Sequence, residues 1–259
     1  MTNKLSSAFS AFAKAALAIA VVGGLSAVPA WASPTLRLTE GAQAAHDIAG
    51  PNLSGNPYFP LVLNAKWVYQ YKTSATSFTT TQTVAGSSPT ASGAQVTLDS
   101  TDSLLPGKVT SLTYTIGKSG TIQVEGSSGA GSSASSFSSR YWIPTASQIQ
   151  SCSACKFSGP FSASFVGKTM TGTLTEIATA LGSHTVTVPA GTFSTDELKL
   201  TLDMHAAGAM PITFSLTFDL YLAKNVGMVE DIGGSMAMNI LGHSVNTTMG
   251  TDKLVSFKI

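Results

Sequence analysis

Cys152-Ser153-Ala154-Cys155 holds the only two cysteines of the chain. Thiols at this spacing can form a disulfide, a redox dithiol or half of a metal shell. Phe157-Ser158-Gly159-Pro160 follows the pair and cannot begin the long helix that would stabilise a thiolate, and two thiols do not complete a tetrahedral zinc site. A Cys152–Cys155 disulfide stapling a loop is therefore the expectation, provided the chain reaches an oxidising compartment. The four histidines, His46, His184, His205 and His243, show none of the close spacing that puts two ligands on one face. Asp99 and Asp102 could offer oxygens to calcium, but the glycine and distal glutamate of a calcium loop are missing. Gly233-Gly234-Ser235-Met236-Ala237, with His243 and Asp252 downstream, has the composition of a nucleophile turn, yet Met236, Met238 and Ile240 continue it as a strand rather than a helix. No glycine-rich phosphate loop with its lysine is present. These residues predict no catalytic group, no metal site and no cofactor.

Trp67, Tyr69 and Tyr71 alternate and would share one face of a strand. Large amphipathic rings so placed either fill a core, with their polar tips bonded, or form the aromatic wall of a ligand cleft. The second reading makes Trp67, Tyr69 and Tyr71 the candidate ligand-binding residues.

What must position these groups is a sheet. In Thr213 to Leu222 the residues Phe214, Leu216, Phe218, Leu220 and Leu222 face one way, and Asp219 marks the wet side. Glu197 to His205 repeats the arrangement through Leu198, Leu200, Leu202 and Met204, and the two segments are expected to pair as a hairpin through residues 206–209. Shorter alternating runs at 67–72, 95–100, 112–116, 121–125, 184–188, 235–240 and 254–259 bring the expectation to about ten strands. In Val188-Pro189-Ala190-Gly191 the proline presets the backbone of a tight turn. Residues 126–139 contain only Gly, Ser and Ala apart from Phe137, too little apolar area to offset the entropy of ordering, and read as a flexible loop.

Residues 1–32 read as a secretory signal, with basic Lys4 and Lys14, an apolar stretch from Ala15 to Val28, and Ala30-Trp31-Ala32 for cleavage. Gly23, Gly24 and Pro29 leave that stretch too short for a span of roughly 20 residues. Without a cysteine at the cleavage point no lipid anchor is expected. Residues 33–57 form a lead-in segment, with a short helix near Thr39 to Ile48, and 58–259 a single β-rich domain. Twelve basic residues then face thirteen acidic ones, with no basic run or stripe, which argues against nucleic acid as a partner.

Three pieces occur in order: Tyr58-Phe59-Pro60-Leu61 with Trp67-Val68-Tyr69, Val186-Thr187-Val188-Pro189-Ala190-Gly191-Thr192-Phe193, and Tyr221-Leu222-Ala223-Lys224-Asn225-Val226-Gly227-Met228-Val229. Together they resemble a broad group of exported bacterial β proteins, mostly uncharacterised. The resemblance implies an all-β fold, a curved antiparallel sheet (half-barrel or open barrel) like that of periplasmic lipoprotein carriers. It carries over no catalytic residue. The resulting expectation is a non-enzymatic periplasmic or secreted protein whose sheet binds an apolar ligand or a cell-envelope protein. An outer-membrane β-barrel is the alternative, since strands of about ten residues alternate there too, and an envelope hydrolase built on Ser235 ranks below it.

Overall fold

Alternation over so many segments leaves one economical solution, a sheet that turns its apolar face in upon itself. A computed structural model of the chain describes residues 50–118, 121–129, 137–139, 141–165, 168–207, 211–240 and 243–259. The signal, the first part of the lead-in and the helix expected at 39–48 lie outside them.

The described strands are β1 (Lys66–Lys72), β2 (Ser77–Thr90), β3 (Gly93–Asp102), β4 (Val109–Gly117), β5 (Ile122–Gly129), β6 (Phe137–Ser139), β7 (Tyr141–Ile143), β8 (Cys155–Phe165), β9 (Lys168–Val188), β10 (Gly191–Ala207), β11 (Ile212–Ala223), β12 (Gly227–Ile240), β13 (His243–Thr248) and β14 (Thr251–Lys258). One short helix, α1 (Ala146–Ser151), precedes β8. All pairings are antiparallel, in the order β11-β10-β9-β8-β6-β5-β4-β3-β2-β1-β14-β12-β13, and β7 pairs with β5 off this path. The fold class is as expected, with fourteen described strands in place of about ten.

The 197–205 and 213–222 segments pair as a hairpin in one register, Leu198↔Leu220, Leu200↔Phe218, Leu202↔Leu216 and Met204↔Phe214, and every one of these side chains is buried. Pro189 and Ala190 form the two-residue turn between Val188 and Gly191, whose φ of 135° suits glycine. Of the Gly/Ser tract read as a loop, residues 126–129 complete β5 against β4 and 137–139 form β6 against β8. Backbone pairing gives those residues a place that their side chains do not announce; residues 130–136 lie outside the described set.

Curvature comes to a head at β12. Its early residues Glu230–Ile232 pair with β14, its later residues Ser235–Ile240 with β13, and its other edge with β11. The change of partner falls at Gly233-Gly234. A Cβ on Gly233 would stand 2.1 Å from the Gly250 carbonyl oxygen, and one on Gly234 2.2 Å from that of Thr217, so only glycine permits this approach. The path therefore returns from β11 through β12 to β14 and β1, and the sheet is an open barrel. Among the described residues β5 meets β6 at Ser127↔Phe137 and β7 from Ile122↔Ile143 to Val124↔Tyr141.

Leu216, fully enclosed on β11, should lose about 2–5 kcal/mol of stability on replacement by alanine. Thr213→Ala, exposed on the same strand, should stay within about 0.5 kcal/mol of wild type. Urea unfolding followed by far-ultraviolet circular dichroism compares the two.

Candidate functional site

Trp67, Tyr69 and Tyr71 all point inward from β1, each 5% exposed or less. Each polar tip finds a backbone partner near the start of β12 or just before β14, as buried amphipathic rings require. The Trp67 indole N–H donates to the Val226 carbonyl at 2.7 Å, and the Tyr69 hydroxyl to that of Met228 at 3.2 Å. Tyr71 accepts from the Gly250 N–H at 3.0 Å and packs its ring against Phe78, centroids 4.8 Å apart. Burial pushes the Tyr69 hydroxyl far above its usual range, so it stays neutral.

Trp67 and Tyr69 border an interior cavity of about 90 Å³; Tyr71 lies outside its wall. The wall is otherwise built by leucines 198, 200 and 202 of β10, by Phe218, Leu220 and Leu222 of β11, and by Leu98. These are the inward positions of the alternating strands, so the strand register sets the chemistry of the cavity. Gln82 and Glu176 are the polar side chains in the lining apart from ring hydroxyl and indole groups.

The roof is not sheet. Residues 50–64 cross the barrel end as a strap, and Tyr58, Phe59, Pro60 and Leu61 from it, with Ile149 of α1, cover the cavity. Short polar side chains give the strap its shape. Asn52 Oδ1 accepts from the Ser54 hydroxyl at 2.8 Å and from the Leu61 N–H at 3.0 Å, and Asn56 donates through Nδ2 to the Pro144 carbonyl at 2.9 Å. The Asn225 N–H donates to the Pro57 carbonyl at 2.7 Å.

The strap is also pinned near its middle, through Tyr58. Its hydroxyl donates to Asp196 Oδ2 and accepts from Gln150 Nε2 at 2.8 Å, while Ser183 donates to Asp196 Oδ1 at 2.6 Å and Lys224 lies 5.6 Å from the centre of the ring. Burial, reinforced by the Asp196 bond and charge, pushes the tyrosine up to about 12. Burial also raises the Asp196 carboxyl, but the bonds from Ser183, Tyr58 and Gln150 and the charge of Lys224 outweigh it and hold the group below its ordinary value. Gln150 belongs to α1, which is fixed by a capping box between Thr145 and Gln148. That Thr-x-x-Gln spacing was present in the sequence and could have located the helix.

The remaining candidates are spread apart. Cys152 ends α1 and Cys155 opens β8; they are joined in a disulfide with Cα atoms 5.5 Å apart. Ser235 pairs with Thr248, His243 with Ile240, and Asp252 with Asp231, so the three members of a nucleophile site do not meet. Asp99 accepts from Ser111 and Asp102 from the Leu104 N–H, on opposite faces of β3. His184 meets Glu197 at 2.7 Å on the outer face, away from the exposed His205 and His243. Among the described residues no group of three or more His, Cys, Asp or Glu is placed to hold a metal ion.

The sequence matches no family model and no curated protein. Two crystal structures share the fold. One is a "putative lipoprotein" from Parabacteroides distasonis, with a TM-score of 0.50 and 13% identity over 78% of this chain and 99% of the other. The second is a "putative exported protein with YmcC-like fold" from Bacteroides fragilis, with a TM-score of 0.51 and 13% identity over 79% and 100%. At that identity the likeness establishes the architecture and nothing about activity.

Because the Asp196 carboxyl is held low when folded, its contribution is present above the ordinary carboxylate value, about 3.9, and disappears as pH falls through the folded value. Thermal melts between pH about 5 and about 2 should therefore decline more steeply for wild type than for Asp196→Asn, the two converging at the acid end.

Proposed function

We propose that this chain is an exported, non-enzymatic β protein that holds an apolar group, such as one hydrocarbon chain of a cell-envelope amphiphile, in the cavity beneath the strap. The observation that carries this reading is the contrast between an interior of leucine and aromatic side chains and a roof held in place by polar pins. A roof of fifteen residues, tied by side-chain bonds and isolated backbone bonds rather than by a strand ladder, can lift without breaking the sheet. At about 90 Å³ the space is smaller than the roughly 150 Å³ cavity that admits a benzene ring. Loading therefore requires strap side chains such as Phe59 and Leu61 to yield. Export is supported by the signal-like first 32 residues.

The orientation of the faces weighs against the outer-membrane barrel. Glu197, Lys199, Asp219, Glu230 and Lys253 point outward while leucines and aromatics fill the interior. A lipid-facing barrel has the reverse arrangement, an apolar outside around a polar lumen. The separation of Ser235, His243 and Asp252 removes the support for a hydrolase.

cis-Parinaric acid is a suitable probe, because Trp67 borders the cavity and can transfer excitation to a bound polyene. Titration should give saturable quenching of tryptophan emission, and Leu200→Trp, which fills the cavity, should weaken binding at least tenfold (roughly 1.4 kcal/mol). Absence of saturable binding, or equal binding by the filled variant, would refute the proposal.

A further inference from the structure

Asp231 of β12 and Asp252 of β14 stand directly opposite each other in a ladder only three pairs long, between Glu230↔Lys253 and Ile232↔Thr251. Both are fully enclosed, and none of their four carboxyl oxygens has a hydrogen-bond partner. Asp252 lies on the inward face with Leu254, beside Tyr71 of β1, and Asp231 is paired with inward Leu220 of β11.

Among the described residues no cation answers them. Lys253 turns outward and pairs with Glu230 at 2.9 Å, and Lys72, opposite Thr251, is exposed. The charge of the pair is felt at Tyr69 and Tyr71 of β1, and Asp102 of β3 and Asp219 of β11 act on it in turn; Tyr221 of β11 faces Glu197, Asp219 and Glu230 on the outer side. β9 also touches β12 and β14; its Glu176 lies in the cavity wall and its His184 is engaged by Glu197 on the outer face. The charges that reach the pair, Asp219 and Glu230 on Asp231 and Asp102 on Asp252, are all negative. Carboxylates directly opposed across two strands have β-carbons about 5 Å apart, and ionising both without water or a counter-charge is prohibitive.

We propose that Asp231 and Asp252 form a proton-held latch on the β12–β14 joint, closed while the carboxyls carry protons and released as rising pH removes them. Burial first, then the neighbouring negative charges, moves both groups well above the ordinary carboxylate value. For acids raised on folding the contribution to stability is complete below the unfolded value and is lost as pH rises through the folded one, opposite in sign to Asp196. The joint separates Trp67 and Tyr69 of β1 from Leu220 and Leu222 of β11, so its release would part the barrel wall whatever the cavity holds.

Hydrogen exchange of wild-type amides 230–232 and 251–253 from pH about 4, the ordinary carboxylate value, to about 9, corrected for intrinsic base catalysis, tests the latch directly. Protection should fall by up to about tenfold per pH unit for each proton released, and in Asp231→Asn/Asp252→Asn it should be flat. Constant wild-type protection would overturn the proposal, as would the same decline in the double variant. Abolition of the decline by 1 mM calcium would also overturn it, because a metal rather than protons would then neutralise the pair. If the double variant does not fold, the wild-type profile with and without calcium decides alone.

Discussion

Glycine at 233 and 234 allows one strand to serve three neighbours, and the curvature of the barrel hangs on that concession. β12 could not leave β14 for β13 while staying hydrogen-bonded to β11 if either position carried a side chain, because the Gly250 and Thr217 carbonyls occupy the space. The same bend draws β11 round to face β1, which brings the leucines of one wall against Trp67 and Tyr69 of the other. Two residues without side chains thus decide where the largest side chains meet.

Polar groups are handled differently at the places where strand pairing does not suffice. At the roofed end, Tyr58, Gln150, Ser183 and Asp196 satisfy one another and tie segments distant in sequence. At the β12–β14 joint two carboxyls are enclosed with no such partners. The first arrangement favours ionisation of its acid and the second opposes it, although both are aspartates on strands of one sheet. Neighbours, not residue type, make the difference.

Much of the fold was legible because alternation is a direct record of burial: the β10–β11 hairpin has the inward faces that its sequence announces. What escaped had physical reasons. β2 reads as a threonine run since Thr80 and Gln82 face inward where apolar residues would normally mark the core. β13 is polar apart from the half-buried Val245, and β6 and β7 are too short to alternate. The inward direction of Trp67, Tyr69 and Tyr71 followed from their spacing, but the separation of Tyr71 from the cavity depends on the tertiary approach of Gly250. Likewise Tyr58-Phe59-Pro60-Leu61 was conspicuous as a motif, whereas its place as a roof depends on contacts with Asp196 and Pro144, over eighty residues away.

The β12–β14 ladder, three residue pairs long, gives the sheet a mechanical grain. Under tension across the strands, the long β9–β10 and β10–β11 ladders share the pull among many bonds. At Glu230–Ile232 the same pull is carried by three pairs, so this short seam is where the wall yields first.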